Sequence, residues 1–70
     1  MGASQIKKFA EMGANIEITE EAKIGARFVK EIIEIVVAKG KNIKVHAKHY
    51  GAKEIREMIE KGGDKITIVI

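Results

Sequence analysis

The chain has seventy residues, no cysteine, and a net charge of +3 from thirteen basic and ten acidic side chains. That length allows one domain, residues 1–70, near the lower limit for folding without staples. The missing cysteines exclude disulfides, thiolate zinc sites and cysteine nucleophiles, and the longest apolar run, Ile35–Ala38, is far short of the ~20 residues that span a bilayer.

In chain order, Met1-Gly2-Ala3-Ser4 lacks the basic and apolar regions of a secretory leader and reads as a cloning remnant. The expectation is a cytoplasmic protein with no membrane partner. A first helix is predicted from Ser4, as N-cap, to Met12, stopped by Gly13. A strand follows over Ile16-Glu17-Ile18-Thr19. The second helix is predicted from Glu20 to Lys39, with Thr19 as cap, Glu20 and Glu21 on the favourable end of the helix dipole, and Gly40 as stop. Ile43–Lys48 alternates as the second strand, and His49-Tyr50-Gly51 turns the chain. The third helix runs from Ala52 to Lys61, Gly62 ends it, and Ile66–Ile70 forms the last strand. The three glycine stops, Gly13, Gly40 and Gly62, therefore mark three successive helix–strand units.

Ile16, Ile18, Ile43, Val45, Ala47, Ile66, Ile68 and Ile70 alternate with Glu17, Thr19, Lys44, His46, Lys48, Thr67 and Val69. A sheet covered on both faces would show continuous apolar runs instead. The predicted fold is α/β: a small two-layer sandwich with a three-stranded, mostly parallel sheet and helices on one face. In the middle helix Ile24, Phe28, Val29, Ile32, Ile33, Ile35, Val36 and Val37 cover an arc of roughly 220° at 100° per residue. Such an arc requires either flanking helices or another subunit. Ile33, Val36 and Val37 are the candidate self-association residues, and a homo-oligomer is the expected partner.

On the polar face, Lys44, His46 and Lys48 form a candidate anion site, with His46 as acid or base and a lysine as candidate Schiff-base former. The competing reading is a solvated face whose charges pair across strands, Glu17 included. His46 and His49 fall on opposite strand faces, which argues against a metal site. Gly25-Ala26-Arg27 is neither a Walker loop nor a dinucleotide fingerprint. Ser4, Thr19 and Thr67 have no adjacent base. The expectation is no catalytic residue, no cofactor and no metal. The Lys-, Glu- and Ile-rich composition is that of thermostable or designed chains.

Three resemblances follow from particular segments. Ala10–Ile18 and Ile55–Ile68, in the order helix–strand three times over, resemble consecutive units of TIM-barrel aldolases of the transaldolase and deoxyribose-phosphate aldolase type. This resemblance implies a polar face lining a barrel lumen and a strand lysine as nucleophile, although the corresponding strand positions here carry Ile18 and His46. The stretch Phe28–Ile55, with Lys39-Gly40 before Ile43–Lys48 and then Ala52-Lys53-Glu54-Ile55, resembles the Alba group of nucleic-acid-binding proteins. It implies Lys44, Lys48, His49 and Lys53 as phosphate contacts. Phe28–Glu31, Ala52–Ile55 and Lys61–Ile68 resemble pieces of the HPr phosphocarrier, with Glu21 or Gly25 nearest its phosphorylated histidine and Glu54 at its regulatory serine. The leading expectation is a non-catalytic, structural or self-associating module. The alternatives are a nucleic-acid binder and an aldolase-like barrel fragment.

Overall fold

Two glycines with positive φ set the frame. In the computed structural model, which describes residues 2–70 and so leaves Met1 outside, helix α1 spans Ala3–Glu11 and helix α2 spans Ala26–Ala38. Past their ends stand Gly13 at φ 94° and Gly40 at φ 71°. Each closes its helix with the same pair of bonds. The N–H of Gly13 donates to Ala10 and that of Ala14 to Phe9; the N–H of Gly40 donates to Val37 and that of Lys41 to Val36. These are Schellman caps, which use a left-handed residue to satisfy the last helical carbonyls. Strands β1 (Ile16–Ile18) and β2 (Ile43–His46) start three residues after each glycine.

The third unit corrects the predicted stop. Helix α3 spans Ala52–Gly62, so Gly62 is its last residue, and the residue with positive φ is Gly63, at φ 57° and ψ −130°. A 3₁₀ turn over Gly63–Lys65 leads into strand β3, Ile66–Val69. Gly13, Gly40 and Gly63 are then equivalent, each three residues before the first isoleucine of its strand. Those isoleucines, Ile16, Ile43 and Ile66, align in the sheet register.

The second helix also starts later than its sequence pattern predicts. Glu20–Ala22 closes as a 3₁₀ turn, Lys23 takes the left-handed conformation at φ 52°, and Gly25 is the extended N-cap of α2. A left-handed lysine cannot propagate a right-handed helix. Thr19 therefore precedes only the short turn, and Gly2 rather than Ser4 is the N-cap of α1; neither cap makes a side-chain bond. The strands are shorter than predicted as well, leaving Thr19, Lys48 and Ile70 outside them.

Both strand pairs are parallel, in the order β1-β2-β3. The three helices lie in one layer, α2 packed between α1 and α3, and the fold is the two-layer α/β sandwich predicted from strand alternation. Ile18, Ile43 and Val45 are at most 1% exposed beneath Val29, Ile32, Ile33, Val36 and Met58. Most of the wide apolar arc of α2 is thus covered by the sheet and two flanking helices of the same chain, while Phe28 stays 47% exposed. Ile33 and Val36 are fully buried there and offer no surface for self-association, and Val37 is half-buried. Among the described residues no helix is long and apolar enough to cross a membrane.

Candidate functional site

The sheet face opposite the helices carries Glu17, Lys44, His46 and Thr67. Register places Glu17 beside Lys44 and Lys44 beside Thr67. Glu17 reaches diagonally along β2, and its Oε2 lies 2.8 Å from His46 Nε2. The hydrogen bond to His46 holds the Glu17 carboxyl below the usual carboxylate range against the opposing effect of desolvation, with a lesser contribution from the Lys44 charge. Glu17 is thus an acceptor at neutral pH, and His46 donates from Nε2. The carboxylate occupies one ring nitrogen of His46 and neighbours Lys44, so charges of both signs meet on this face.

At the amino end of the strands the polar face dips into an open depression of about 430 Å³ lined by Asn15, Glu17, Asn42, Lys44 and Thr67. Its floor is a backbone link that sequence reasoning missed. The Asn15 side chain accepts from the Asn42 N–H at 2.9 Å, and the Ile16 N–H donates to the Asn42 carbonyl at 3.1 Å. The signal was the recurrence Gly13-Ala14-Asn15-Ile16 and Gly40-Lys41-Asn42-Ile43.

Lys48, His49 and Lys53 belong to a different surface. Ala47 is the last residue held to the sheet, donating to Val69 O at 2.8 Å, and the chain then turns through Lys48 and His49, with the Tyr50 N–H closing on Ala47 O at 3.0 Å. Lys48 and His49 are exposed in this turn and Lys53 in the first turn of α3. The five candidate anion contacts therefore divide between the sheet face (Lys44, His46) and the carboxyl end of the sheet (Lys48, His49, Lys53). His46 and His49 do not converge. Among the described residues no three metal-ligating side chains come together.

Tyr50 organises the carboxyl end. Its ring packs against His49 with centroids 4.1 Å apart, its hydroxyl donates to the Ile24 carbonyl, and burial pushes its phenol pKa up. This bond ties the β2–α3 turn to the left-handed bend before α2.

On the helix layer the three N-cap glycines, Gly2, Gly25 and Gly51, reveal a second repeat. Each is followed by alanine, and the residue five positions on is Lys7, Lys30 or Arg56. Lys7 meets Glu31 of the next helix at 3.7 Å, and Lys30 meets Glu57 at 2.6 Å and Glu54 at 3.2 Å. Lys30 holds the Glu57 carboxyl below its ordinary range, and the two acids in turn raise Lys30. Arg56, the third rung, makes no ion pair within the described chain.

The two sheet edges differ. At the β1 edge Ile16 is half-buried, Ile18 is 1% exposed and Glu17 places a charge mid-strand, whereas along β3 both Ile66 and Ile68 are half-buried, no charge interrupts the strand, Ile59 of α3 is 47% exposed and Ile70 85% exposed. No protein-family model, curated protein or solved structure matches the chain.

Proposed function

We propose that the protein is a non-catalytic structural module whose role is to associate with itself. The observation that carries this reading is the open β3 edge. Proteins guard free edges with charge, proline or a covering element. Ile66-Thr67-Ile68-Val69-Ile70 has no charge or proline, and its apolar side chains remain partly exposed. A domain this small gains much of its missing core by association. Sedimentation velocity over a wide concentration range tests the reading: a reversible shift from monomer to a discrete oligomer supports it, and monomer throughout rejects it.

The parallel order β1-β2-β3 with all helices on one face favours a second reading, a segment of an aldolase-like barrel. In that reading Glu17, Lys44, His46, Thr67 and Val69 line the lumen, and Lys44 is the lysine available for a Schiff base. Borohydride trapping with a small aldehyde labels Lys44 if this reading holds, and leaves the chain unlabelled if the module is non-catalytic.

A further inference from the structure

We infer that the partner at the β3 edge is a second copy of this chain, docked about a two-fold axis through Ile68 so that β3 pairs antiparallel with its counterpart and α3 lies antiparallel beside its own. The inference rests on the self-associating reading and specifies its geometry.

Backbone direction supplies the first half. The Val69 carbonyl accepts from Ala47 and therefore faces β2. Peptide groups two residues apart on a strand point the same way, so Thr67 also faces β2, while Ile66 and Ile68 direct their N–H and C=O groups away from the sheet, as does the N–H of Ile70 just past the strand. These are the free donors and acceptors of the edge. In an antiparallel pair the outward-facing residues exchange both of their bonds. Centring the pair on Ile68 matches Ile68 with its own copy and Ile66 with Ile70 of the other chain. All six outward-facing residues then find partners, and the two sheets join as one with helices on a common face.

The helix layer points to the same axis independently. Gly62 lies against Ile66, as the space around its Cα shows. Ile68 stands two residues further along β3, or about 6.6 Å. The helix runs back over that distance in about four residues at about 1.5 Å each, which brings Met58 level with Ile68. A two-fold at Met58 sets Arg56 opposite Glu60 of the other copy, twice. Arg56 is the rung that makes no ion pair to a neighbouring helix, and among the described residues neither it nor Glu60, one turn along the same helix, makes an ion pair. Glu54, Glu57 and Lys61 face α2, bonded to Lys30 and Glu34, and Met58 and Gly62 are buried toward the sheet. At 100° per residue Ile59 and Arg56 therefore fall on the side of α3 away from α2. There the exposed Ile59 meets its counterpart between the two ion pairs. An isologous interface requires self-complementarity of this kind.

The register is tested by cross-linking in a chain that has no cysteine of its own. Thr67 and Val69 of opposite copies form the close, non-hydrogen-bonded pair of the predicted ladder. Both lie on the polar sheet face, outside the core. Mixing Thr67→Cys with Val69→Cys under mild oxidation is expected to give a disulfide-linked heterodimer in high yield, and a Lys44→Cys protein, one strand removed from the edge, is expected to give none. In parallel, Arg56→Glu is expected to weaken the dimer by about tenfold, and the double variant Arg56→Glu/Glu60→Arg to restore it. A dimer by sedimentation that neither cross-links at this pair nor responds to the charge exchange overturns the geometry and leaves self-association standing. A chain that stays monomeric at every concentration removes both.

Discussion

Replacing Gly62 by alanine puts the close approach of α3 to Ile66 to the test. A Cβ there would sit under 3.0 Å from Ile66 Cβ and Cγ2 and 3.3 Å from Cδ1, against a normal carbon–carbon separation of about 3.5–4.0 Å. The obstructing Cβ is fixed to the β3 backbone, so no rotamer change relieves it, and either α3 or β3 must move by about 1 Å. Overpacking of this kind costs about 1–3 kcal/mol, and this case belongs near the top of that range. The backbone of Gly62, at φ −82° and ψ −29°, is ordinary helix, and alanine recovers at most about 1 kcal/mol of helix propensity. The net expectation is destabilisation by about 2 kcal/mol, a fall in Tm of about 8–16 °C for a domain of this size. Urea and thermal unfolding followed by far-UV circular dichroism, at matched protein concentration, measures it. Gly25→Ala is the control: its backbone is extended and no atom lies within 4 Å of the added carbon, so only the weaker N-cap preference of alanine is lost, a cost of about 0.5–1 kcal/mol. A Gly62→Ala protein as stable as the parent would refute the close approach of α3 to β3 and with it the levelling of Met58 with Ile68.

Gly40→Ala forces a left-handed alanine at φ 71° into the α2 Schellman cap and should cost about 1 kcal/mol in the same unfolding assay. Tyr50→Phe removes the bond to the Ile24 carbonyl and should cost about 1 kcal/mol, with the largest amide shifts confined to Lys23–Ala26 and Lys48–Gly51. For Glu17, a carboxyl carbon titration by NMR should give a pKa below the ordinary glutamate value of about 4.3, returning toward it in His46→Ala. Because that pKa is depressed on folding, its contribution to stability is present above the unfolded value and is lost as pH falls through the folded one. The loss of stability caused by His46→Ala should therefore be fully present above that range and fade as pH falls through it.

The strictly alternating residues of the three strands made the one-sided sheet legible, since burial of every second residue is a local pattern that survives any strand order. Gly13 and Gly40 were legible for a similar reason, each closing a helix with bonds to its own last turn. What escaped depended on distant partners. Lys23 breaks the second helical pattern, and nothing in Glu20–Ile24 announces it, because the bend is held by Tyr50 reaching the Ile24 carbonyl from the β2–α3 turn. Gly62 and Gly63 exchange roles because Ile66 packs onto Gly62. The Lys44–His46–Lys48 cluster dissolved once β2 ended at His46 and Glu17 took up the histidine. Self-association was sought on α2 from its wide apolar arc, but two flanking helices of the same chain bury Ile33 and Val36, and exposed apolar side chains remain at Phe9, Met12 and Phe28 as well as at Ile59 and Ile70 beside β3.

Amide hydrogen exchange at Ile68 tests the central claim most directly, since this N–H faces away from β2 and only a partner chain can protect it. At high protein concentration the Ile68 amide should exchange as slowly as that of Val45 in the central strand, and dilution should accelerate Ile68 while leaving Val45 unchanged. Fast exchange at Ile68 at every concentration, with Val45 protected, would contradict association through the β3 edge.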